Sequence, residues 1–154
     1  MQKIFYHVVT ERPLKVGQEI VFDDNHHSGV YDRVYSLEQK VNDIYLNPQK
    51  YTNALLDHHL KVALRELAME KVRKNKYPNY PSRLASLYVS ATFEEALKWY
   101  DLFIEWGRPT YSIVKVMVDG NIYVGDSWNR FDGTTSRKKN LELAENYWKS
   151  KKNN

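Results

Sequence analysis

The chain of 154 residues contains no cysteine. Disulfides, thiolate zinc sites and a thiol nucleophile are therefore excluded, and the absence fits a reducing compartment. Glycine is sparse, at six residues, and none falls in a GxGxxG, Walker or Gly-x-Ser-x-Gly pattern. No motif thus offers a phosphate-cradling loop or a nucleophile elbow. Long apolar runs are missing too; none approaches the ~20 residues that span a bilayer. A strand pattern begins at residue 3, where a signal segment would need a basic stretch and then an apolar run. The expectation is a soluble, cytoplasmic protein with no membrane partner.

What is present is ordinary in amount and unusual in kind. Hydrophobic residues make up 42% of the chain, enough for a packed core at this length, so one domain over residues 1–154 is expected. The net charge of +4 favours anionic ligands such as nucleotides or nucleic acid. Much of that charge lies in "EKVRKNK" (70–76), "SRKKN" and the terminal "KSKKNN", which read as solvated helix ends and a tail. With 12 Tyr, 4 Trp and 5 Phe, aromatic residues either fill the core or line a cleft for a planar ligand.

"KIFYHVV" (3–9) reads as a buried strand with one imidazole, His7, at its centre. Pro13 and Gly17 then punctuate the chain, and "QEIVF" reads as a short extended piece. Val34, Leu37, Val41 and Ile44 recur at steps of three and four, which predicts one helix ending at Pro48. Leu56, Leu60, Leu64 and Leu67 predict a second over about 50–74, with charges opposite and the prolines of "NKYPNYPS" as its stop. "ASLYVS" (85–90) reads as a strand. "TFEEALKWYDLFIEWG" (92–107) reads as a helix with Thr92 and Glu95 in a capping box, Ala96, Trp99, Tyr100 and Phe103 buried, and Gly107 as its end. Two β-rich runs around Asp119-Gly120 predict a hairpin over 110–126. A final helix over 136–150 packs on Leu141, Ala144, Tyr147 and Trp148. The class is α+β, with strands toward both ends and a helical block between.

Few residues carry chemistry. His26-His27 and His58-His59 are adjacent pairs, and adjacent side chains diverge on a strand or a helix; no metal site is expected. His7, Tyr88 and Asp126 remain, at two strand centres and a strand end. Each has a bland role as core histidine, strand former or loop cap. Arg83 precedes the Tyr88 strand and reads either as a surface arginine or as a partner for a pyrophosphate.

Taken in order, "FYH", "LKVGQEI", "SLYVSATFEEALKW" and "IVKVMVDGNIYVGD" resemble the ADP-ribosyltransferase fold. The order is most similar to the small bacterial rifamycin ADP-ribosyltransferases, and to an uncharacterised bacterial family of unknown function with that fold. The matching pieces cover roughly half the chain. The resemblance implies a split β-sheet with a helical insertion at about 31–75, and NAD as substrate. It implies that His7 orients a ribose, that the main chain of Val8 grips the nicotinamide carboxamide, that Tyr88 stacks on the nicotinamide ring, and that Asp126 is the catalytic carboxylate. Asp119 and Asp132 are the alternatives for that carboxylate. Val8-Val9 stands where the family has Gly-Thr, and 81 positions separate His7 from Tyr88, more than in the rifamycin enzymes. Val124, two residues before Asp126, stands where arginine-modifying members carry Glu or Gln, which disfavours protein arginine as acceptor. The expected function is transfer of ADP-ribose from NAD to a small molecule, nucleic acid or protein. The alternative is a catalytically silent nucleotide sensor or interaction module of the same fold. An RNA 2′-phosphate-removing relative ranks below both, because the strands carry no arginine cluster.

Overall fold

A computed structural model describes residues 3–11, 13–22, 28–124 and 130–150. In chain order it contains β1 (Lys3–Thr10), α1 (Gly29–Ser36), α2 (Glu38–Leu46), α3 (His58–Lys76), α4 (Phe93–Glu105), β2 (Thr110–Val118) and α5 (Arg137–Lys149). The protein is α+β. It divides into two compact units: Met1–Val21 with Leu87–Asn121, and Phe22–Ser86 with Ile122–Asn154. The helical block expected at 31–75 belongs to the second. Among the described residues, no helix is long and apolar enough to cross a membrane.

In the first unit β1 and β2 pair antiparallel, with Lys3 opposite Val118, His7 opposite Val114 and a bulge between Val9 and Thr10. Side chains alternate across a strand, so Tyr6 and Val8 share one face while Phe5, His7 and Val9 share the other. Helix α4 packs on both strands, and the ring of its Phe93 meets Tyr6 edge-on at 6.0 Å. The ends of α4 follow the sequence. Thr92 Oγ1 accepts from the Glu95 N–H at 3.2 Å. At the other end Gly107 takes φ +77°, and the N–H groups of Gly107 and Arg108 return to the carbonyls of Ile104 and Phe103, a Schellman close. Ala96 is fully buried and Trp99, Tyr100 and Phe103 are partly covered, the face the spacing predicts.

Three expectations fail here. The hairpin at Asp119-Gly120 does not form. A type I′ turn needs positive φ at both central residues, and Asp119 is not among the positive-φ residues. Strand β2 instead takes β1 as partner, and Tyr123 joins the aromatic core of the second unit. Residues 85–90 are not a strand. Ser82 caps a 3-10 turn at Arg83–Ala85, and only Ser90 reaches a ladder partner, in a single bridge to Tyr6. Gln18–Phe22 joins no strand either. The turn before it does form, with Gly17 at φ +81° and the Gln18 N–H donating to the Lys15 carbonyl.

The second unit is built around α3. Its first half packs with α1 and α2, through Ala63 and Leu64 against Val34, Val41 and Ile44. Its second half packs with α5, through Ala68, Met69 and Val72 against Ala144, Tyr147 and Trp148. The single helix expected over Val34–Ile44 is two helices meeting at Leu37. Ser36 Oγ donates to the Arg33 carbonyl at 2.8 Å and so competes with the helical ladder at the joint. Helix α3 starts later than the apolar pattern suggests, because Asp57 Oδ1 accepts from the Leu60 N–H at 2.8 Å and fixes the N-terminus there. Two 3-10 turns, Pro48–Lys50 and Asn53–Leu55, precede it. Nor is the polar side of α3 solvated throughout, since Arg65 and Glu66 are both buried.

Candidate functional site

The first unit brings two of the expected residues together. His7 sits at the middle of β1, and its Nδ1 lies 2.8 Å from the main-chain carbonyl of Tyr88. A carbonyl oxygen only accepts, so Nδ1 carries the proton and donates. In the neutral ring Nε2 is then an acceptor, and among the described residues it has no hydrogen-bond partner. Burial pulls the His7 pKa below its ordinary value, and the Tyr88 carbonyl bond only partly opposes that. His7 is thus held neutral at ordinary pH. The Tyr88 side chain is 53% exposed, in irregular chain rather than at a strand centre.

The bridge beside them explains the local geometry. Both main-chain groups of Tyr6 face Ser90, with the Tyr6 N–H to the Ser90 carbonyl at 2.9 Å and the Ser90 N–H to the Tyr6 carbonyl at 2.8 Å. Val8 lies two residues further along β1, so its N–H and C=O point to the same edge. Continuing the antiparallel register would set Val8 opposite Tyr88. The chain has diverged by then, and on that edge, away from its β2 partner Ile113, no main-chain group reaches Val8 among the described residues. Its side chain, buried at 8% exposure, stands off the sheet plane on the Tyr6 face. The edge at Val8 therefore presents one donor and one acceptor with no Cβ between them.

The remaining candidates lie elsewhere. Asp126 and the pair His26-His27 fall outside the described residues. Asp119 is exposed just past the end of β2. It stands five residues from Val114, the partner of His7, or roughly 16 Å along the strand, too far to share one sugar with that imidazole. Asp132 is exposed in the second unit.

Arg83 is also in the second unit and is engaged within it. Its Nε and Nη2 donate to the Glu66 carboxylate at 3.0 Å, and Nη1 donates to the Tyr147 hydroxyl at 2.8 Å. Its guanidinium also lies over the Tyr147 ring, 5.1 Å from the centroid. Glu66 is almost fully enclosed, at 2% exposure. Burial would raise its pKa, but Arg83, and after it Arg65, hold the carboxyl below the ordinary value. Sequence reading missed this cluster. The available signal was a charged pair, Arg65-Glu66, set between Leu64 and Leu67.

Among the described residues, no group of three or more His, Asp or Glu is placed to hold a metal. A cavity of about 60 Å³ opens beside His58 and His59, over Val30, Val34 and Val62, far below the ~300 Å³ of an ordinary ligand pocket. No curated protein matches the chain. The profile of a family described as "Protein of unknown function (DUF2441)" matches residues 5–154, and the chain belongs to that family.

Proposed function

We propose that this member of the family binds NAD at the open edge of β1 and transfers its ADP-ribose to an acceptor, in an ADP-ribosyltransferase-like split sheet. The observation that carries the reading is the break in pairing after Tyr6 and Ser90. It leaves the Val8 N–H and C=O side by side with no hydrogen-bond partner among the described residues. A primary carboxamide offers the matching C=O and N–H, so nicotinamide completes the edge as a short peptide would. Valine in place of glycine is compatible with this, because the Val8 Cβ leaves the sheet plane. His7, held at the same edge, offers Nε2 to a ribose hydroxyl, and the Tyr88 ring supplies a face for the flat cationic pyridinium.

In the reaction, the bond between C1′ and the nicotinamide nitrogen breaks with its electron pair going to nicotinamide. The acceptor atom bonds to C1′ and releases its proton to solvent. Positive charge develops on the sugar in between, and a fixed carboxylate stabilises it; the resemblance assigns that role to Asp126. The acceptor is a small molecule, nucleic acid or protein.

The second reading, a catalytically silent interaction module, draws support from α4. Its Leu97 and Ile104 are exposed, as is Trp106 just beyond it.

The test is nicotinamide release from NAD by the purified chain, with slow release to water expected even without an acceptor. His7→Ala and Asp126→Ala are expected to abolish release while the thermal midpoint stays within a few degrees of wild type. NAD binding without release selects the silent module. Neither release nor an NAD-dependent rise in midpoint sinks the transferase reading and leaves the interaction module.

A further inference from the structure

The contact between His7 and Tyr88 does more than join two candidates. A strand histidine near a sheet edge would ordinarily choose its tautomer by chance encounter with water, and an unconstrained neutral imidazole in water prefers the proton on Nε2. Here the bond runs the other way. Nδ1 is 2.8 Å from a main-chain oxygen, and that oxygen cannot donate. Its position is set by the same segment whose Ser90 bridges to Tyr6 through two main-chain hydrogen bonds. Backbone, not a mobile side chain, fixes the ring.

We propose that Tyr88 is a positioning residue through its carbonyl, locking His7 as the Nδ1–H tautomer so that Nε2 acts only as an acceptor and selects a ligand hydroxyl. This inference rests on the NAD reading for its ligand half and stands without it for its anchoring half. The chemistry of selection is direct. An Nε2 lone pair accepts from a ribose hydroxyl and repels the lone pairs of a carboxylate, a carbonyl or a phosphate oxygen placed at the same point. The arrangement couples two functions in one residue, since a shift of the Tyr88 segment would move the ring platform and release the imidazole together. Metal-bound histidines are oriented by an outer hydrogen bond in the same way. Here the oriented atom faces an organic ligand, and the orienting group cannot be removed by any side-chain substitution.

The test uses the full chain labelled with ¹⁵N histidine, read by long-range ¹H–¹⁵N NMR at neutral pH. The His7 signals are identified by their loss in His7→Gln among the five histidines of the chain. The expected pattern has Nδ1 in the protonated range and Nε2 in the unprotonated range before any ligand is added. On titration with NAD, Nε2 moves upfield as it accepts a hydrogen bond and stays unprotonated. A His7→Asn variant keeps an amide donor near the Nδ1 position and lacks Nε2. It is expected to retain the wild-type thermal midpoint and lose NAD affinity by about tenfold. An Nε2–H tautomer in the free protein overturns the anchor. NAD that binds without moving Nε2, or binds His7→Asn as tightly as wild type, overturns the selection. Absence of NAD binding removes the ligand half along with the transferase reading, while the free-protein tautomer still decides the anchor on its own.

Discussion

Glu66 shows how one enclosed charge sets the terms for its neighbours. Arg65 and Arg83 both point at its carboxylate, and Arg83 extends the cluster to Tyr147 on α5. Removing the carboxylate leaves two guanidinium groups largely buried without their counter-charge, at a cost of about 3–5 kcal/mol. Glu66→Ala is therefore expected to lower the unfolding free energy by that amount, read as a lower urea midpoint at an unchanged m-value. His7 gives the complementary case, a base whose folded pKa is depressed by burial. The folded state binds fewer protons there than the unfolded chain. Stability from the neutral ring is complete above its ordinary value of 6.5 and is lost as pH falls from there through the depressed folded value. Urea titrations from pH 7.5 down to 5 are expected to show this fall in wild type and a flatter profile in His7→Gln. The imidazole itself was legible in the sequence as an isolated titratable group in an apolar strand. Its partner was not, because a main-chain carbonyl leaves no trace in residue identity. Glu66 was hidden for a related reason: a helical period assigns charged residues to solvent, and the exception rests on Arg83, brought in from beyond the helix, together with the neighbouring Arg65.

Elements were legible where their ends are written in local chemistry. Helix α4 has Thr92 at one end and Gly107 at the other, and both matched the reading; α5 starts within its expected span, after Ser136, whose Oγ accepts from the Lys139 N–H. Two segments whose fate depends on distant partners were misread, although β1 itself was read as a strand. The strand propensity of 122–124 and of 85–90 promised ladders, but propensity is a fit to neighbours that the sequence does not name. The same limit covers the candidate site: the break in pairing at Val8 depends on where the chain near Tyr88 turns away. One contact between elements is tight enough to test alone. Gly133 lies against α3, and a Cβ placed there would stand 2.4 Å from Leu64 Cβ and 2.5 Å from the Lys61 carbonyl oxygen. Its own N–H donates to that carbonyl at 3.2 Å. Since the crowding atoms belong to a helix on both of its packed faces, little can move. Gly133→Ala is expected to destabilise the protein by about 1–3 kcal/mol in chemical denaturation, against a change of only a few tenths for Gly29→Ala, where no atom lies within reach.

Across the whole molecule, charge and topology separate the two units. The strand-bearing unit holds six basic and seven acidic residues, while the helical unit holds seventeen basic and twelve acidic. The positive surplus that suggested anionic partners therefore belongs to the helices. Nucleic acid, if it is an acceptor, would be drawn there by long-range attraction rather than to β1. The units also differ in the reach of their contacts. Helices α1 to α3 are near neighbours in sequence, whereas Lys3 pairs with Val118 and Thr10 with Thr110. Pulse-labelled refolding is expected to protect the amides of α1 and α3 before those of β1, since distant pairing closes a longer loop; simultaneous protection would contradict this order.

The pairing of the first strand with one about a hundred residues later has a consequence for synthesis. On a ribosome adding roughly 5–20 residues each second, "KIFYHVV" emerges first and waits some 5–20 s for its mate. During that interval an apolar ribbon hangs from the exit tunnel with nothing to zip against, a natural client for a holding chaperone.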